Sequence, residues 1–76
     1  MNKVRRKTIE EIIASLESLK EDIQAVYDEE EEYRDNMPEN LQSSEKYETA
    51  DNAVEALDSA MSSLDEAIEY LNSAAE

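Results

Sequence analysis

The stretch DEEEEYRD, residues 28 to 35, is the densest cluster of reactive groups in the chain, and KVRRK at residues 3 to 7 holds most of the opposite charge. Clustered carboxylates can bind a cation, divide the roles of general acid and base, or meet a basic surface. A calcium loop of the EF-hand kind needs acids at alternate positions around a glycine, and the chain has no Gly. A di-iron bundle needs Glu-x-x-His pairs facing inward, and there is no His. Consecutive acids on a helix also point in different directions around it. No metal-ligating or cofactor-binding residue is therefore assigned.

Catalysis has no better footing. Acid and base roles need an enclosed pocket that raises the pKa of one carboxyl, and a pair of helices encloses none. Ser43, Ser44, Ser59, Ser62, Ser63 and Ser73 have no basic partner to activate them, so they read as helix caps and surface. The absence of Cys removes disulfides and thiolate metal sites. The chain is expected not to be an enzyme, and no catalytic residue is named.

Charge then decides which partners are plausible. A net charge of -14 opposes general binding to nucleic acid or anionic membranes. Only Lys3, Arg5, Arg6 and Lys7 could touch a phosphate, because Lys20, Arg34 and Lys46 sit among acids. An internal role for the basic group is expected instead, beside Asp65, Glu66, Glu69 and Glu76. A basic protein is the class of outside partner that fits. Rows of carboxylates could also imitate DNA phosphates and occupy the groove of a basic host or defence protein. That is the alternative to the plainer reading of residues 28 to 32 as a solvated face.

The elements that position these charges are legible from apolar spacing. Ile9, Ile12, Leu16, Leu19, Ile23 and Val26 alternate steps of three and four, and Tyr33 continues the pattern after Glu30. With Ile9 at heptad position a, the seam is a/d, Glu30 interrupts it, and Ile13 and Tyr27 widen it at e. A second stripe runs through Tyr47, Ala50, Val54, Leu57, Met61, Leu64, Ile68, Leu71 and Ala75 without a break. Ala53, Ala60, Ala67 and Ala74 flank it on one side, where small side chains leave room for another helix. Asp51, Asp58, Asp65 and Asn72 flank it on the other and are expected to face water.

DNMPENLQSS separates the stripes. Asn36 is a candidate for the left-handed residue that ends a helix, Pro38 blocks continuation, and Ser43 or Ser44 can cap the second helix. Leu41 is expected to fold inward and close the core. TIEE gives Thr8 and Glu11 the spacing of a capping box, unless the helix continues back to Asn2. The fold class is all-α: a single antiparallel hairpin over 1-76, with helix 1 about 3-35, a turn about 36-43 and helix 2 about 44-74. Seam layers should join residues whose numbers total about 80, Ile23 with Leu57 and Leu16 with Leu64 among them.

A chain this short leaves little margin over the entropy of ordering, so self-association is expected. A homodimer forming a four-helix bundle would cover Ile13, Tyr27 and the alanine row. Loops at opposite ends would bring KVRRK of one chain towards the acidic run of the other, at helix-1 pairings totalling about 38. MNKVRRK could open a signal peptide, but acids break every apolar run of the adjoining TIEEIIASLESLKED. Neither a secretion signal nor a membrane span is expected, which makes the cytoplasm the expected location.

YRDNMPENLQSSEKYETADNAVEALDSAMSSLDEAIEYL, together with MNKVRRKTIEEI, resembles a group of uncharacterised short acidic helical proteins of Gram-positive bacteria and their phages or mobile elements. NMPENLQSSEKYE is its most specific part. The resemblance implies a prokaryotic cytoplasmic setting and brings no activity or site residue with it.

Overall fold

The computed structural model describes every residue from Met1 to Glu76. Two helices, α1 (Lys3–Asp35) and α2 (Glu45–Ala74), pack side by side into a rod of 59 × 15 × 12 Å. A single 3-10 turn, Glu39–Leu41, interrupts the connection between them. There is no strand, as expected of a chain rich in helix formers and without glycine.

Local chemistry sets the helix ends. Of the two candidate starts for α1, Asn2 is the one used: its side-chain oxygen accepts from the Arg5 N–H at 2.8 Å. Thr8 lies inside the helix, where its hydroxyl donates to the Val4 carbonyl. Asn36 ends α1 with φ -88° and ψ 1°, so the expected left-handed cap is not formed. Its N–H still donates to the Glu32 carbonyl at 3.0 Å, and Pro38 in extended geometry turns the chain away. Ser44, rather than Ser43, caps α2 by accepting from the Tyr47 N–H, with Glu45 and Glu48 in the favourable first turn.

The core is thin. Met37, Ala50, Val54 and Met61 are the buried residues, and none of them is on α1. Met37 closes the turn end at 8 % exposure, whereas Leu41, the expected plug, is 41 % exposed. The Met37 N–H donates to the Arg34 carbonyl, which folds this residue directly back under the last turn of α1. Leu41 lies beyond Pro38 in the 3-10 turn, and its side chain faces outward.

The larger correction concerns which face of α1 meets α2. Ile9, Ile13, Leu16, Lys20, Ile23, Tyr27, Glu30 and Arg34 are half-buried, which is an a/e pattern. Ile12, Leu19, Val26 and Tyr33, the expected d residues, remain 43 to 54 % exposed. The a/e seam is turned by roughly 50° from the a/d seam, half the 100° between adjacent residues. Ile13 and Tyr27 thus face α2 instead of widening an open side.

Candidate interaction surface

The two long sides of the hairpin carry opposite chemistry. On one, Lys20, Tyr27 and Arg34 recur every seven residues along α1 and meet Asp65, Asp58 and Asp51 on α2. Lys20 pairs with Asp65, and Arg34 donates to Asp51 at 2.8 Å and to Asp35 at 2.9 Å. The hydrogen bond to Asp35 and then that to Asp51 hold the guanidinium protonated beyond its ordinary range. Tyr27 donates its hydroxyl to Glu31 at 3.0 Å; that bond and the Glu31 charge raise the phenol pKa, and Asp58 adds to the shift. The aspartate flank of α2 does face water at Asp58, Asp65 and Asn72, while Asp51 and Asp65 also accept the cross-helix cations of this tied side. Both charged ties join residues whose numbers total 85, Lys20 with Asp65 and Arg34 with Asp51, so they share one register along the flank.

The other side is open. Seven residues separate each of Ile12, Leu19, Val26 and Tyr33 from the next, so they form one row about 31 Å long at 1.5 Å per residue. Leu19, Ile23 and Val26 share a shallow apolar groove of about 360 Å³ with Leu57 and Leu64, edged by Asp22. Helical spacing puts Ala53, Ala60 and Ala67 beside Leu57 and Leu64, at the α2 rim of this same groove.

At the turn end the acidic run divides. Asp28 accepts from the Gln24 amide, Glu31 from Tyr27 and Asp35 from Arg34, while Glu30 lies half-buried on the seam. Glu29 and Glu32 are exposed and line an open concavity of about 590 Å³ with Tyr33, Met37, Leu41 and Lys46. No three carboxylates come close enough together to hold a metal ion.

At the far end the basic group takes an unexpected partner. Arg6 donates to the Ala75 carbonyl at 2.7 Å and to the Met1 carbonyl at 3.1 Å, rather than to the carboxylates of α2. It gives the C-terminus of α2, which has no basic residue in its own last turn, a cation from the neighbouring helix. Lys3, Arg5 and Lys7 form no salt bridge.

No helix is long and apolar enough to cross a membrane. No protein-family model, curated protein or solved structure matches the chain.

The a/e seam is readable in principle. Lys20, Tyr27 and Arg34 share the seven-residue spacing of Asp51, Asp58 and Asp65, and two matched rows of opposite polarity mark facing flanks. The apolar residues alone do not choose between a/d and a/e, since both directions from the a row carry large side chains.

Proposed function

We propose that the chain is a small acidic protein-interaction module with no catalytic role, whose working unit is a homodimer of hairpins forming a four-helix bundle in a bacterial cytoplasm. One observation carries this reading: α1 contributes no buried residue to its own hairpin, yet it presents a row of large, half-exposed apolar side chains along the open flank of the seam. Unpartnered apolar rows of this length favour association in water. Imitation of nucleic acid draws no comparable support, because the carboxylates of residues 28 to 32 face different ways and Asp28 and Glu31 are engaged within their own helix.

Sedimentation velocity tests the reading. A species of about twice the 8.7 kDa chain mass is expected at micromolar concentrations and above, at low and at moderate salt. A single 8.7 kDa species at hundreds of micromolar would overturn it. Capture of a basic nucleic-acid enzyme from a bacterial lysate, lost at high salt and competed by DNA, would point to mimicry instead.

A further inference from the structure

We infer that a second copy docks along the open side with α1 antiparallel to α1 and Leu19 on the two-fold axis. The inference rests on the dimer reading above and adds its face, direction and register.

The row itself is nearly symmetric about Leu19. Ile12 and Val26 lie one heptad to either side, and Arg5 and Tyr33 lie two. A two-fold axis at Leu19 sets Leu19 on the partner's Leu19, Ile12 on the partner's Val26, and the Val4–Arg5 end on the partner's Tyr33. Such self-complementarity is what a symmetric interface requires of a single surface patch. The contacting pairs total about 38, the register in which the basic start of α1 meets the acidic end of its partner.

Charge fixes the same direction independently. No acid occupies the first turn of α1, which is basic, and its last turns are acidic, so both ends oppose the helix dipole. Arg6 is engaged by the α2 terminus, but Arg5 forms no side-chain bond within its own hairpin. Glu29 and Glu32 are likewise unengaged at the turn-end concavity. Antiparallel docking brings Arg5 to the partner's Glu32, and exposed Met1 and Val4 to the partner's Tyr33 and Leu41. A parallel arrangement would stack like charges at both ends. Pairing Ile12 with the partner's Tyr33 is also antiparallel, but it carries Arg5 past the end of the partner's α1. The alanine rim beside Leu57 and Leu64 leaves room for the incoming helix.

The absence of native cysteine makes the register directly testable. Leu19→Cys, Ile12→Cys and Val26→Cys are oxidised separately at dilute protein and followed by intact mass, with sedimentation run on the reduced protein. Rapid covalent dimerisation of Leu19→Cys is expected. Ile12→Cys and Val26→Cys should each link to themselves at least about tenfold more slowly, and readily to each other when mixed. Equal self-linking of all three would mean a parallel pair and overturn the inference. A sedimenting dimer without Leu19→Cys linkage would place the interface elsewhere: the inference falls while the dimer reading stands. A monomer throughout removes both. Arg5→Glu should raise the dissociation constant about tenfold with helix content unchanged, and Arg5→Glu combined with Glu32→Arg should restore it. Failure of the double variant to restore would also overturn the register.

Discussion

The tied side and the open side of this hairpin are built from residues of the same helix, one heptad position apart on either side of the a row, yet they are held in opposite ways. Lys20, Tyr27 and Arg34 reach across to carboxylates or lie beside them. Ile12, Leu19 and Val26 stay half in water, Leu19 and Val26 along a groove they share with Leu57 and Leu64. A helix can satisfy a mixed polar and apolar row only against a specified partner, because each cation needs its acceptor at one position. An apolar row accepts any packing surface of suitable shape. The hairpin therefore directs its specific contacts to its own second helix, and its less particular contacts remain available to another molecule.

Substitution of apolar residues on the two helices should expose this difference most strongly. Met61→Ala removes one of the buried side chains of the seam and should cost about 2 to 5 kcal/mol. Total stability for a domain of this size is roughly 4 to 11 kcal/mol at ~0.05 to 0.15 kcal/mol per residue. Urea titration followed by circular dichroism should show a large fall in midpoint, or a chain unfolded in buffer. Leu19→Ala, measured at concentrations where the chain is monomeric, should change the midpoint by less than ~1 kcal/mol equivalent, because that side chain is already 54 % exposed. Equal losses from the two would mean that the open row is part of the hairpin core after all.

Much of this arrangement can be read from the sequence, and the misses have physical causes. Two helical stripes with a Pro-containing break specify the packed pair, since no other element fits a chain of helix formers whose apolar residues recur in steps of three and four. A serine cap at residue 43 or 44 follows from side-chain chemistry that acts within three residues, and the structure uses Ser44. The face of α1 is ambiguous in the apolar pattern because d and e are both occupied by large side chains. The choice falls to Lys20 and Arg34, whose partners lie far away in sequence. Met37 escapes a sequence reading for a related reason. It and Leu41 are both apolar, and only the path of the backbone at Pro38 decides which turns inward. Of the candidate surface, the acidic run and basic start are plain, but the engagement of Arg6 with the Ala75 carbonyl is not, because a backbone acceptor leaves no mark on composition.

A smaller effect should separate the ion pair from the apolar row. Lys20 and Asp65 are partly exposed, so their pair should contribute about 0 to 1 kcal/mol. Lys20→Met keeps the stem over the seam while removing the charge. Its midpoint should fall slightly in low salt and approach that of the parent as salt screens the pair, at a Debye length of about 3 Å in 1 M salt. A loss that persisted at high salt would show that the stem, rather than the charge, holds this position.

Titration of Tyr27 should give the smallest signal and the most local one. Its hydroxyl donates to Glu31, and the Glu31 and Asp58 charges disfavour the phenolate, while Arg34 acts in the opposite direction. The phenol pKa in the folded chain is therefore raised above the ordinary value of 10.0. A group whose folded pKa exceeds its unfolded one contributes its stabilisation fully below the unfolded value and loses it as pH rises through the folded value. The melting temperature should thus decline as pH passes from about 10 upward, beyond the decline of a Tyr27→Phe variant, which has no proton to lose there. Parallel curves for the parent and Tyr27→Phe above pH 10 would show that the bond to Glu31 does not couple to folding. The tied side would then be held by Lys20 and Arg34 alone.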